Sequence, residues 1–251
     1  MSLIETRLVD DVIELRMTRP PVNAFNDAML SALIVALRDA SKGPARAIVL
    51  SGRAGLFSAG LDIPELMTKD RAGMRDFWKL FFDIQRQLAA CPLPIAAAIT
   101  GHSPAGGAVL ALYCDYRVMA QGAFRIGLNE VAVGLHPGPV IHGLLRRAVG
   151  PRRAELLLCT GRMLTPEEAL AVGLVDELAP AVDVVDRAFA WAREVVRLPA
   201  AAVADTRAIA RADLVELVRT AGLESVKSPA DHWWDPETQA ALKALVQRLK
   251  K

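Results

Sequence analysis

The segment IAAAITGHSPAGGAVLALYCDYR, residues 95–117, gives the strongest indication of the fold class. The apolar run Ile95–Ile99 is bounded by Pro94 and Gly101 and has the length of a fully buried strand. A glycine-rich turn follows at Gly101–Gly107, and the chain then continues as an apolar helix. A buried strand that passes through a tight turn into a helix is typical of α/β proteins.

The same succession occurs elsewhere in the first half of the chain. The apolar run Ala47–Leu50 predicts a second buried strand, and a glycine-punctuated loop follows it at residues 51–60. Apolar residues at helical spacing predict a helix over about residues 72–90. Strands and helices alternate at first and helices dominate later. We therefore predict an α/β core over residues 1–180 and a helical region over residues 181–251.

Composition excludes several classes of protein. The chain has 251 residues, of which 53% are hydrophobic and 23% are charged, as in ordinary globular proteins and unlike disordered or collagen-like chains. Lys and Arg total 30, Asp and Glu total 28, and the net charge of +2 gives no sign of a nucleic-acid surface. The longest apolar runs fall far short of the roughly 20 residues of a membrane helix. We expect neither nucleic acid nor a membrane as a partner.

The cysteines and the N-terminal residues bear on the compartment. Cys91, Cys114 and Cys159 share no metal-binding spacing, and we interpret them as reduced thiols. The first residues contain an early acid and no apolar signal segment. These features predict a cytoplasmic protein.

Two glycine-containing turns are the first candidates for chemistry. Phe57–Asp62 reads FSAGLD and Ser103–Gly107 reads SPAGG, and each turn follows a predicted buried strand. Glycine lets a ligand approach the backbone closely. Two such turns could each direct a backbone N–H at one oxygen, which is the arrangement of an oxyanion hole. Turn glycines by themselves are more often plain tight connections.

The segment GHSPA, Gly101–Ala105, allows a different chemistry. It nearly matches the G-x-S-x-G nucleophile elbow of serine hydrolases, with Ser103 as the nucleophile. The last position is alanine, however, and Pro104 lacks the N–H that would serve the oxyanion hole. A Ser103 hydrolase is therefore an alternative rather than the main interpretation.

Glu130 is the candidate acid–base residue. It lies near Leu128, Val133 and Leu135, an apolar setting that should raise the pKa of its carboxyl and suit a general base. A single loop glutamate, taken alone, is more often a solvated side chain. His136 begins a stiff HPGP sequence and is either a ligand contact or, more commonly, a structural histidine.

Three further predictions concern packing. Asp115 and Arg117 are interpreted as a local buried ion pair. Trp78 and Phe82 have the spacing of core residues and are also candidate pocket residues. The pair Trp233–Trp234 is predicted to be exposed enough to form a subunit contact or a pocket wall.

The order of these motifs along the chain resembles that of the crotonase superfamily of enoyl-CoA hydratases and isomerases. The resemblance extends from about Val12 to Lys250. FSAGLD is similar to the family's first oxyanion segment, and Gly101–Arg117 is similar to its second. The resemblance implies a spiral of ββα turns with a C-terminal helical region that mediates assembly into a homotrimer or a dimer of trimers. It also implies an acyl-CoA thioester as the substrate, so that coenzyme A enters as part of the substrate. It implies no metal or redox cofactor.

The resemblance also implies roles for individual residues. The backbone N–H groups of Leu61 and Gly107 would hold the thioester oxygen, and Glu130 would be the catalytic acid and base. Family hydratases carry a second glutamate where this chain has Leu110, so the sequence looks more like a Δ3,Δ2-enoyl-CoA isomerase. The residues expected to contact the substrate are Asn23, Ala24, Ala59, Gly60, Asp62, Ile63, Gly106, Leu110 and His136.

Three alternatives stay open at this point. Hydration, or another acyl-CoA reaction of the superfamily, would use the same oxyanion hole. A Ser103 hydrolase would react with a fluorophosphonate. An acyl-CoA-binding homologue without activity would bind the substrate and not turn it over.

Overall fold

A computed structural model describes residues 2–220 and 229–249. The described strands are β1 Ile4–Val9, β2 Val12–Met17, β3 Ala47–Ser51, β4 Gly55–Leu56, β5 Ile95–Ile99, β6 Gly101–Pro104, β7 Tyr116–Ala120, β8 Ile126–Gly127 and β9 Glu177–Ala179. The α-helices are α1 Asp27–Lys42, α2 Ile63–Leu66, α3 Arg71–Ala90, α4 Gly106–Leu112, α5 Gly138–Val149, α6 Pro151–Thr160, α7 Pro166–Ala171, α8 Val184–Val196, α9 Ala200–Ala210, α10 Ala212–Thr220, α11 Pro229–His232 and α12 Pro236–Leu249. A 3-10 helix covers Glu130–Val133. No described helix is long and apolar enough to cross a bilayer.

Two sheets alternate along the chain, and this alternation generates the fold. The larger sheet has the strand order β1-β2-β3-β5-β7-β9, and the smaller has the order β4-β6-β8. The hairpin β1–β2 is antiparallel, whereas the pairings from β2 onward are parallel. The successive pairs β3–β4, β5–β6 and β7–β8 each give one strand to each sheet. The chain thus winds as a spiral of ββα turns, as predicted.

The larger sheet is covered on both faces. Every residue of β3 and β5 is buried, which explains why these strands are continuously apolar rather than alternating. Ala96 and Ala98 of β5 pack with Ala188 and Phe189 of α8 on one face. Ile95, on the opposite face, belongs to the main core with α1, α3 and α4. Helix α8 therefore packs directly on the sheet, in a second apolar cluster on the face opposite to the main core. The boundary at residue 180 stays a prediction.

A partly buried ion-pair cluster ties the C-terminal helices to this core. The carboxylate of Asp115 accepts hydrogen bonds from Arg207 Nε at 3.0 Å and Arg211 Nη1 at 2.9 Å. The predicted pair between Asp115 and Arg117 is wrong. The segment α9–α10 brings two arginines to Asp115, and Arg117 pairs with Asp176 instead, with Nη2 and Oδ1 3.1 Å apart.

The prediction of an exposed tryptophan pair is also wrong for one of its members. Trp233 is fully buried in the main core, because α11 packs against α3. Trp234 is partly exposed, and the guanidinium of Arg71 lies 4.9 Å from its ring centroid. Neither tryptophan lines the cavity described below.

Candidate active site

The first glycine turn connects β4 to α2 and is held by the loop of residues 22–25. The N–H of Phe25 donates to the carbonyl oxygen of Gly60 at 2.7 Å, and the N–H of Asp62 donates to the carbonyl oxygen of Phe25 at 3.0 Å. In a planar trans peptide the C=O and N–H point in opposite directions. The N–H of Leu61 therefore points away from Phe25, and within the described residues it donates no hydrogen bond.

The second glycine turn ends where α4 begins. The first N–H groups of a helix have no acceptor inside the helix, and the N–H of Gly107 has none elsewhere in the described part of the chain. The two turns touch each other, since a methyl group added at Gly60 would lie 3.1 Å from the backbone nitrogen of Gly106. Two backbone donors without acceptors, those of Leu61 and Gly107, thus lie on adjacent turns.

A cavity of about 640 Å³ opens beside these turns. Its volume is within the range of sites for small molecules. Much of its wall is apolar, with Trp78, Phe81 and Phe82 from one face of α3. The predicted site residues that line the cavity are Ala24, Ala59, Leu61, Asp62, Ile63, Gly106, Glu130 and His136.

Four predicted site residues do not line this cavity: Asn23, Gly60, Gly107 and Leu110. Asn23 is fully buried, and its Nδ2 donates to the carbonyl oxygens of two residues of the surrounding backbone. Leu110 is fully buried in the main core, because α4 directs it inward. Gly60 and Gly107 are each next to a lining residue and shape the two turns.

Glu130 begins the 3-10 helix, and its side chain reaches the cavity. Its Oε2 is buried and has no hydrogen-bond partner among the described residues. Burial raises the pKa of this carboxyl to about 7. The other carboxylate of the lining, Asp62, lies 2.7 Å from Nη2 of Arg19 and accepts a hydrogen bond from the N–H of Glu65. Glu130 is therefore the lining carboxylate suited to proton transfer.

Ser103 lies on β6, where it is fully buried. Its Oγ has no hydrogen-bond partner among the described residues. The neighbouring His102 uses its Nδ1 to accept the N–H of Arg125. A serine nucleophile needs both an adjacent base and access to substrate, so this geometry contradicts the Ser103 hydrolase.

Sequence reasoning missed cavity residues from both ends of the chain. Arg19 lines the cavity and bonds Asp62, Glu65 and the carbonyl oxygen of Ala24. Leu245 and Leu249 of α12 also line it. The i, i+4 spacing of these leucines signals one apolar helix face, but it carries no information about what that face covers.

Residues 8–234 match the sequence model of the family described as enoyl-CoA hydratase/isomerase. The chain belongs to this family, the crotonase superfamily. The description of the family covers two kinds of enzyme, enoyl-CoA hydratases and enoyl-CoA isomerases.

Relatives of both kinds resemble this crotonase. Rat mitochondrial enoyl-CoA delta isomerase 1 is 35% identical over 181 residues, which span 71% of this chain and 63% of the rat protein. A probable enoyl-CoA hydratase of Mycobacterium tuberculosis is 36% identical over 195 residues, covering 77% of this chain and 74% of the relative. The crystal structure of human mitochondrial delta3-delta2-enoyl-CoA isomerase has a TM-score of 0.91 at 29% identity, covering 99% of this chain and 98% of the human chain.

Proposed function

We propose that this crotonase is a Δ3,Δ2-enoyl-CoA isomerase, which moves a double bond of an unsaturated acyl-CoA from C3 to C2. The observation that carries the proposal is one buried carboxyl, Glu130, with a pKa raised to about 7 in an apolar cavity. A group with this pKa both accepts and returns a proton near neutral pH. Double-bond migration needs one group that does both.

The backbone donors would hold the thioester. Its carbonyl oxygen would accept hydrogen bonds from the N–H groups of Leu61 and Gly107. Glu130 takes a proton from C2, and the electrons of the C2–H bond spread over the conjugated dienolate, placing negative charge on that oxygen. Donors preorganised toward such an oxygen stabilise the transition state by about 3 kcal/mol each.

The same proton then completes the reaction. Glu130 delivers it to C4, the double bond forms between C2 and C3, and the carboxylate is restored. The apolar wall formed in part by Val133, Leu135 and Ile141 supports this step, because exclusion of water keeps the proton on the carboxyl. The substrate contacts expected of Ala24, Ala59, Asp62, Ile63, Gly106 and His136 are proposed on the same basis.

Leu110 argues against hydration as the main activity. Addition of water needs a second group that orients the nucleophile, and Leu110 is an apolar side chain buried in the core. Asp62 is a poor substitute, since it is committed to Arg19. Crotonyl-CoA hydration should therefore be weak beside the isomerisation of 3-hexenoyl-CoA.

The test compares Glu130→Gln with Glu167→Gln, an exposed control on α7. The amide keeps the shape of Glu130 and cannot take up the proton, so isomerisation should fall by about 10²-fold or more. The control should match the wild type. Near-normal turnover of Glu130→Gln would refute the mechanism, and strong crotonyl-CoA hydration by the wild type would favour a hydratase.

Two broader expectations accompany this function. We propose a homotrimer or a dimer of trimers, which sedimentation equilibrium would distinguish from a monomer. We also propose a cytoplasmic location, although the rat relative is named as mitochondrial. Fluorescence microscopy of the tagged chain in its own cells would test it.

A further inference from the structure

Ser58 is a fully buried polar residue of the first glycine turn and lies beside the loop of residues 22–25. Its hydroxyl donates a hydrogen bond to the carbonyl oxygen of Asn23 at 2.7 Å. The hydroxyl oxygen of Ser58 in turn accepts a hydrogen bond from the N–H of Gly60 at 3.1 Å. A hydroxyl has one proton to donate, so these two bonds fix its orientation. Ser58 does not line the cavity.

Gly60 is consequently held at both of its backbone polar groups. Ser58 accepts its N–H, and the N–H of Phe25 donates to its carbonyl oxygen at 2.7 Å. The carbonyl of Gly60 and the N–H of Leu61 belong to one planar peptide unit. The bond from Phe25 therefore sets the direction of the Leu61 N–H, and the bond to Ser58 holds the preceding peptide unit, Ala59–Gly60, from which that unit extends.

Asn23 presents its carbonyl oxygen to Ser58 from an unusual backbone conformation. Its φ is +49°, in the left-handed region that asparagine tolerates better than most residues. Its Nδ2 donates to the carbonyl oxygens of Met17 at 3.0 Å and Phe57 at 3.1 Å. Such a conformation persists when the surrounding structure over-determines it, and Ser58 thereby receives an acceptor at a fixed place.

We propose that Ser58 is a positioning residue for the oxyanion hole. Its hydroxyl ties the Ala59–Gly60 peptide unit to the carbonyl oxygen of Asn23, and the next unit, held by Phe25, then presents the N–H of Leu61 to the thioester oxygen. The inference rests on the proposed role of that N–H in binding the enolate. A donor that is aimed at developing charge matters more in the transition state than in the ground state, so loosening it lowers kcat more than it raises KM.

The test compares Ser58→Ala with the matched variant Ser51→Ala. Ser51 is also fully buried, its hydroxyl donates to Glu14 Oε1 at 2.7 Å, and it lies on β3 outside the cavity lining. With 3-hexenoyl-CoA, Ser58→Ala should lower kcat about tenfold to hundredfold, less than the 10²–10³-fold cost of losing a donor outright. Its KM should change little. Ser51→Ala should lose thermal stability without losing kcat, and an unchanged kcat in Ser58→Ala would overturn the proposal.

A second measurement reports on the oxyanion hole without turnover. Acetoacetyl-CoA gives a near-ultraviolet band when it ionises to its enolate, and the wild type should strengthen this band on binding. Ser58→Ala should bind the thioester and strengthen the band much less. Bands of equal strength in both proteins would overturn the role of Ser58 and would not affect the proposed oxyanion hole. Absence of the band in the wild type would contradict the oxyanion hole itself, and the role of Ser58 with it.

If Ser58→Ala does not fold, Ser58→Cys replaces it in both measurements. The thiol keeps a weak donor and a weak acceptor at the same position. It should lower kcat severalfold in the folded protein, with KM held and the enolate band weakened. Wild-type values of kcat and of the band in this variant would count against the proposal.

Discussion

The carbonyl oxygen of Ser58 lies 2.8 Å from the position that a methyl group on Gly107 would occupy. This distance is shorter than an ordinary contact between carbon and oxygen, so the two turns approach as closely as glycine allows. The spacing between the two backbone donors is therefore set by packing of main chain against main chain.

Replacement of Gly107 by alanine should separate the two turns. The new methyl group must displace the backbone at Ser58, so kcat should fall by about 10²-fold or more, as when an oxyanion donor is lost. Steady-state kinetics with 3-hexenoyl-CoA would measure the change. Gly73→Ala on α3 is the control, because its methyl group would meet Asp70 Oδ1 at 3.3 Å and lies outside the cavity lining. Full activity of Gly107→Ala would show that the spacing is not critical.

The pH dependence of the reaction should follow Glu130. Its carboxyl must be ionised to take the C2 proton, and burial raises its pKa to about 7. The ratio kcat/KM should therefore rise with pH through about 7 and level off above it, since this ratio reports the free enzyme. Initial rates between pH 5 and pH 9 would test this. A profile that is flat across neutrality would assign the base to another group.

The stability of the protein should depend on the same proton. Because the folded-state pKa of Glu130 is raised from 4.5 to about 7, folding favours the protonated form, and this contribution is lost as pH rises through about 7. At about 1.4 kcal/mol per pKa unit, the loss amounts to about 3 kcal/mol. Glu130→Gln should thus gain stability relative to the wild type between pH 5 and pH 8. Urea unfolding at pH 5 and at pH 8 would measure the free energy of unfolding of both proteins. The same difference between the two proteins at both pH values would contradict the raised pKa.

Asp115 should anchor the C-terminal helices. Asp115→Asn would leave Arg207 and Arg211 without their shared counter-charge. Breaking a fully buried pair in this way costs about 3 kcal/mol or more, and this partly buried cluster should approach that cost. Asp213→Asn, which removes an exposed ion pair with Arg147, should cost less than about 1 kcal/mol. Urea unfolding curves of the two variants would measure the contrast, and equal costs would contradict the anchoring role.

The parts of the fold that depend on local sequence were predictable. The strand Ile95–Ile99 occurs as predicted, because a continuous apolar run between breakers specifies a buried strand by itself. The helix predicted over residues 72–90 occurs as Arg71–Ala90. The apolar setting of Glu130 follows from residues within five positions of it, and the raised pKa agrees with that expectation.

The parts that depend on tertiary contacts were not predictable. Asp115 and Arg211 are 96 positions apart, and no local pattern indicates that they meet. Trp233 has polar neighbours in the sequence, yet the packing of α11 against α3 buries it. The contribution of α12 to the cavity wall was not predictable either, because an amphipathic pattern identifies an apolar helix face and not the surface that the face covers.

The position of α12 has a consequence for the origin of the hydrogen at C4 of the product. Leu245 and Leu249 form part of the cavity wall, and Thr238 Oγ1 donates to the carbonyl oxygen of Gly134 at 2.6 Å, close to Glu130 in the chain. The double replacement Leu245→Ala and Leu249→Ala would thin this wall, leave the base and the backbone donors in place and admit water to them. Solvent deuterium would then enter the product at C4, whereas the intact enzyme would return much of the hydrogen that it removed from C2. We therefore expect the last helix to decide whether the hydrogen at C4 of the product comes from C2 of the substrate or from the solvent.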